Sequence, residues 1–176
     1  MERNRSLWQL AGFGATALGG TLLHFVYDWT NQSVLAALVS AVNESTWEHM
    51  KLLLVPMVLF ALLERRFFPD DADFWCVKLC GMLAGLVTIP VLFYTGNGVF
   101  GKTPDWVNIL IFFVAAAVAY ALETAQFRRQ RPCRYPKLAA AAIALLLLMF
   151  ACFTFVTPRI PLFRDPITGT FGRPTA

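Results

Sequence analysis

Five apolar stretches, each close to the length of a bilayer crossing, constrain this chain more than any other feature of its sequence. They run from Leu7 to Tyr27, Trp47 to Leu63, Phe74 to Tyr94, Trp106 to Leu122 and Leu138 to Val156. A helix rises about 1.5 Å per residue, so roughly 20 residues cross the ~30 Å of hydrocarbon in a membrane. Composition points the same way: 57% of the 176 residues are hydrophobic, 15% are charged, and the mean hydropathy is +0.57. Soluble domains of this size are less apolar. The expected architecture is an all-α membrane protein, one helical domain over residues 1–157 with spans near 7–28, 45–64, 74–95, 105–126 and 137–157. The first span has the flanks of a signal peptide. His24, Tyr27, Asp28 and Trp29 stand where a small-residue cleavage site would be, however, and it is read as retained.

A sixth apolar segment, residues 33–42, is too short to cross and is expected as a re-entrant or interfacial helix. Residues 158–176 form a tail in which Asp165-Pro166 and Thr168-Gly169 favour tight turns between Leu162, Phe163, Ile167 and Phe171. That pattern predicts an ordered tail lying on the outer ends of the helices. Orientation follows from the basic residues. Arg3, Arg5, Arg65, Arg66, Arg128, Arg129, Arg131, Arg134 and Lys137 all fall on one side of a five-span chain. The positive-inside rule makes that side cytoplasmic, with the amino terminus in and the carboxyl terminus out. The loop after the third span carries Lys102 alone, and only the tail, with Arg159, Arg164 and Arg173, runs against it. The net charge of +4 thus reports topology and not a nucleic-acid partner. Cys76, Cys80 and Cys133 lie at or near the cytoplasmic face and Cys152 lies within the fifth span, so no pair is well placed for a disulfide in an oxidising compartment. Cys76 and Cys80 read as packing residues, since no further ligand stands near them.

The densest polarity is "NESTWEHMK", Asn43 to Lys51, between two apolar runs. Ser45 followed by Glu48 has the form of a capping box, in which the hydroxyl accepts from the amide of residue 48 and the carboxylate returns to the amide of residue 45. The second span starts there. Lys51 then either snorkels outward or pairs with an acid such as Glu44. On the first span Gly12, Thr16, Gly20, His24 and Asp28 recur every four residues and share one face, small at one end and polar at the other. His24 and His49, the two histidines of the chain, should therefore meet at similar depth below the outer boundary. The candidate polar cluster is His24, Asp28, Asn43, Glu44, Glu48, His49 and Lys51, with Asp165 reaching it from the tail. Ionisable groups facing a bundle interior mark a functional site unless they neutralise one another. Glu123 is read separately, as an interfacial partner of Arg128 and Arg129.

The segments "HFVYDW" (24–29), "VNESTWEHMKLL" (42–53) and "PLFRDPITGTFG" (161–172) together resemble a family of small bacterial multi-pass membrane proteins catalogued as a domain of unknown function. The resemblance covers nearly the whole chain. It implies a five-helix protein of the bacterial inner membrane and assigns no activity or catalytic residue. Three functions fit the residues. An outer-facing site could bind or transport a small solute, an ion or a lipid headgroup. A membrane-embedded hydrolase or transferase acting on a lipid-linked substrate could hold Zn²⁺ with His24, His49 and Asp28 or Glu44, leaving Glu48 as general base. No HExxH signature supports that enzyme. A haem could take His24 and His49 as axial ligands, although the neighbouring carboxylates disfavour it. The balance favours binding or transport, with a homo-oligomer needed for a conventional secondary transporter because no inverted repeat is visible. On this reading Glu48→Gln and His49→Gln both insert and fold nearly normally but lose ligand.

The topology is checked by single-cysteine labelling in a background lacking the native cysteines. An impermeant maleimide should modify intact cells carrying Thr168→Cys and spare those carrying Arg131→Cys; the reverse pattern inverts the orientation.

Overall fold

The computed structural model describes residues 2–129 and 132–173; Arg131 and residues 174–176, part of the expected loop and tail, lie outside the described residues. The elements are helices α1 (Glu2–Trp29), α2 (Val34–Ala37), α3 (Thr46–Phe67), α4 (Phe74–Phe100), α5 (Asp105–Arg129) and α6 (Pro136–Phe155), then a 3₁₀ turn, Pro161–Phe163. Five of the six helices are long and apolar enough to cross a membrane. The chain is an all-helical, multi-pass membrane protein. α4 runs on through Gly96 and Gly98, beyond the expected end of the third span near residue 95; the turn comes at Gly101, whose φ of 78° a glycine adopts without strain.

α3 is the axis of the bundle. Of its apolar window 72% is buried, against 22–39% in the other four spans. Leu53, Leu54, Met57 and Ala61 along it are almost wholly enclosed. The remaining spans expose leucine, valine and phenylalanine on their outer faces, as at Leu10, Leu18, Val87, Leu145 and Leu148. In lipid this exposure costs nothing, because acyl chains are as apolar as the side chains.

The small-residue face of α1 is what admits that helix to the axis. A Cβ on Gly12 would come within 2.6 Å of the Tyr120 ring, and one on Gly20 within 2.7 Å of the Leu52 carbonyl oxygen. Between them Thr16 is fully buried, its hydroxyl 2.8 Å from the Tyr120 hydroxyl. α1 is thus wedged against α3 and α5, which sets the height of His24.

α4 and α5 pair most extensively. Their antiparallel contact brings the chain leaving α5 back over the first turn of α4. Cys76 and Cys133 form a disulfide there, with Cα atoms 6.0 Å apart. The sequence argued against a disulfide from compartment alone and did not foresee this proximity: the two residues are 57 apart in sequence, and only the return of the loop joins them. Cys80 and Cys152 are free and exposed. We call this the arginine end of the bundle and the opposite one the tail end.

The tail is ordered. Phe163 is buried against Trp47, whose ring also stacks on Phe150 with centroids 4.0 Å apart. Residues Arg164 and Phe171 form a β-bridge, and Asp165 caps the turn between them by accepting from the amides of Ile167 (2.7 Å) and Thr168 (3.2 Å). Beyond it Arg173 donates to the Tyr27 hydroxyl and the Gln32 carbonyl, both at 2.9 Å.

Two glycines on one helix should respond oppositely to the same change. Gly20→Ala is expected to lower thermal stability in detergent by about 1–3 kcal/mol through overpacking. Gly14, with nothing within 4 Å of its added Cβ, should gain up to about 1 kcal/mol from alanine's helix propensity.

Candidate functional site

Ser45 starts α3 from an extended backbone, and its hydroxyl accepts from the Glu48 amide at 3.4 Å. The return half of the expected capping box is absent. The Ser45 amide instead donates to Asn43 Oδ1 at 2.9 Å, a short local turn that frees the longer glutamate to reach the Val42 amide at 3.2 Å. Asn43 also donates through Nδ2 to the Gly172 carbonyl at 2.9 Å. Its role is to join the start of α3 to the tail.

Glu48 and Lys51 turn into the bundle and are 2% and 0% exposed. Lys51 Nζ lies 2.6 Å from Glu48 Oε2 and donates to the Ala37 carbonyl (2.8 Å) and to Thr154 Oγ1 (2.9 Å). Thr154 in turn donates to Glu48 Oε1 at 2.9 Å. Every polar atom of the pair is therefore engaged, and the pair ties α2, α3 and α6 together. Lys51 does not snorkel outward, as the capping pattern allowed, and its partner is Glu48 and not Glu44. Neither oxygen of Glu48 is free to take a proton from a substrate.

His49, one residue on from Glu48, faces away from this pair toward α1. Its Nε2 lies 3.5 Å from Glu44 Oε2, and His24 Nε2 lies 3.5 Å from Glu44 Oε1, with the imidazole centroids 5.6 Å apart. The three side chains come from α1, the connecting segment and α3, and their candidate ligand atoms all lie within 4.8 Å of one another. They are 24–40% exposed, so the site is open at the tail end of the bundle. His49 Nδ1 sits 3.0 Å from the Ser45 carbonyl oxygen. A carbonyl only accepts, so Nδ1 carries the proton and Nε2 of a neutral ring presents a lone pair. That lone pair faces a carboxylate oxygen. The contact is met either by a proton on Nε2, which makes it an ion pair, or by a cation held between the two atoms. The separation of 3.5 Å is close to the ~3.3 Å between two ligands of a tetrahedral zinc with bonds of about 2.0 Å.

Two other candidates lie elsewhere. Asp28 is exposed and makes no ion pair among the described residues, because the last turn of α1 carries it past the two histidines. Asp165 is 4% exposed but spends its carboxylate on its own turn.

The family model for DUF6512, a family of unknown function, matches residues 1–173. The chain belongs to that family. No curated protein and no solved structure matches it. Membership in DUF6512 brings no activity with it, so the chemistry must be argued from the site.

A second ionic cluster, at the arginine end, was not singled out by the sequence. Lys78 Nζ lies 2.5 Å from both Glu64 Oε2 and Glu123 Oε2, and Glu64 Oε1 also receives Gln9 Nε2 at 2.8 Å and Arg5 at 3.1 Å. Arg5 pairs with Asp71 as well and stacks on the rings of Phe68 and Phe127. Glu123 is thus bound to buried Lys78 and not to Arg128 or Arg129, because α5 turns it toward α4, where Gly81 leaves room for it. The available signal was a lysine and two glutamates inside or at the edge of apolar runs. Joined across α1, α3, α4 and α5, they neutralise one another within the bundle.

Glu48→Gln leaves the buried Lys51 without its countercharge and is expected to cost about 3–5 kcal/mol, unlike the near-normal folding that capping alone would give. Adding Lys51→Met should recover most of the loss. Thermal unfolding of the single and double variants in detergent checks both statements.

Proposed function

We propose that this protein binds a divalent transition-metal ion at the tail end of the bundle, with His24, Glu44 and His49 as ligands, and so acts as a membrane-embedded ion-binding or ion-transporting protein. The supporting observation is the pair of imidazole nitrogens converging on the two oxygens of one carboxylate. Two nitrogens and a carboxylate oxygen suit Zn²⁺, and three protein ligands leave a fourth position for water or a solute. The Ser45 carbonyl supplies the outer partner that orients His49. The positive-inside bias favours an outward orientation for this end, and the Cys76–Cys133 disulfide at the arginine end, which a reducing cytoplasm would not maintain, argues against it.

The competing readings receive less support. A hydrolase using Glu48 as base needs a free carboxylate, and both Glu48 oxygens are engaged. A bis-histidine haem needs open space between the rings, where Glu44 stands. Below the site Leu53, Leu54 and Met57 close the bundle, which favours binding over passage in this conformation.

Purified protein loaded with Zn²⁺ and freed of excess should retain about one equivalent per chain by elemental analysis. His24→Gln, Glu44→Gln and His49→Gln should each lose it while keeping the metal-free unfolding temperature, and Asp28→Asn should retain it. Zinc retained equally by all four variants, or absent from the wild type, overturns the proposal.

A further inference from the structure

The tail carries the three arginines that break the positive-inside pattern, and the fold employs only one of them. Arg173 is taken up by Tyr27 and Gln32. Arg159 and Arg164 are exposed and have no carboxylate partner among the described residues. Both line a groove of about 700 Å³ between the end of α4 and the tail, with Phe93, Tyr94, Ile167 and Phe171. Its volume is that of a small-molecule site. The acid beside them is withdrawn, since Asp165 is buried and committed to the amides of Ile167 and Thr168. Arg164 Nη2 would lie 3.4 Å from a Cβ on Gly169, so the guanidinium lies across a turn that glycine makes at φ 73°.

The depth of the groove says what meets it. Trp29 at the end of α1, Tyr94 near the end of α4 and Trp106 at the start of α5 are 66%, 40% and 64% exposed at this same end of the bundle. Exposed tryptophan and tyrosine in a ring mark the headgroup layer. Next to the arginines, Ile160 and Ile167 are also largely exposed, as is Val156 just after α6. Guanidiniums bind phosphate oxygens in a fork, and the apolar rim suits the acyl chains that accompany a headgroup. A free phosphate has no use for that rim.

We infer that this groove binds the phosphate headgroup of an anionic phospholipid in the leaflet at the tail end, with Arg159 and Arg164 as the phosphate ligands. The inference goes beyond the metal site and does not depend on it, although one tail serves both: residues 164–171 wall the groove and Gly172 is held by Asn43 beside Glu44.

The test is thermal unfolding of the full chain in neutral detergent with added short-chain phosphatidylglycerol, phosphatidylcholine or inorganic phosphate. Phosphatidylglycerol should raise the unfolding temperature, the other two should not, and the shift should disappear in the Arg159→Gln/Arg164→Gln double variant. That variant should unfold like the wild type without lipid, since neither guanidinium has a partner to lose among the described residues. Native mass spectrometry of the wild type provides a readout independent of the variant and should show retained phosphatidylglycerol. An equal shift with phosphatidylcholine, an equal shift with inorganic phosphate, or a shift that survives in the double variant overturns the assignment. Zinc content is measured separately, so failure here leaves the metal proposal standing and failure there leaves this one.

Discussion

Charge neutralisation inside the bundle is the constraint on which the rest of the structure depends. An unpaired ion removed from water costs several kcal/mol, and a bilayer offers no solvent to retreat to. The chain nevertheless buries Glu48, Lys51, Glu64, Lys78 and Glu123 almost completely. Each is matched. Lys51 and Glu48 close on Thr154 at one end, while Lys78 bridges Glu64 and Glu123 at the other, with Arg5 and Gln9 completing the shell. Apolar packing between lipid-facing helices is weakly directional, because lipid solvates leucine as well as another helix does. The ionic clusters supply the direction. They specify which helices meet and in what rotation, and removal of one partner leaves a buried charge that no rearrangement of the others can satisfy.

The candidate metal site is a consequence of that lock. Lys51 holds the Ala37 carbonyl and Glu48 holds the Val42 amide, so the short non-spanning segment is drawn down onto α3 from both sides. Glu44 lies two residues beyond Val42 and is delivered by the same movement to the two imidazoles. Asn43 fastens the tail to this place, and Trp47 stacks on Phe150 and Phe163 below it. Residues that looked like members of one polar cluster thus divide into two sets. Glu48, Lys51 and Asn43 build the frame, while His24, Glu44 and His49 gather, partly exposed, at the tail end. The tail then contributes a second surface, on which Arg159 and Arg164 have no carboxylate partner among the described residues.

Much of this was legible in the sequence, and the reason is periodicity. Hydrophobic length alone implies five crossings, because only about 20 apolar residues in helix reach across the hydrocarbon. The four-residue spacing of Gly12, Thr16, Gly20 and His24 identifies the face that α1 turns inward, and Ser45 marks where α3 begins. Those signals place both histidines at one depth. They are local, since helix geometry converts sequence spacing directly into direction and height.

Choices among equivalent partners were not legible. Glu44 and Glu48 are both acids within reach of Lys51 and His49, and local pattern does not say which goes where; the depth to which residues 34–42 sink decides it. Glu123 has arginines five and six residues away on its own helix, yet it pairs with Lys78, 45 residues distant, because α4 lies against that face of α5. Cys133 meets Cys76 for the same reason. By itself the sequence determined the helices, their membrane-spanning lengths and the inward face of α1, all of which follow from short-range geometry. Only the tertiary structure decided which charge answers which, because that depends on the mutual rotation of helices, and rotation is set by the long-range pairs themselves.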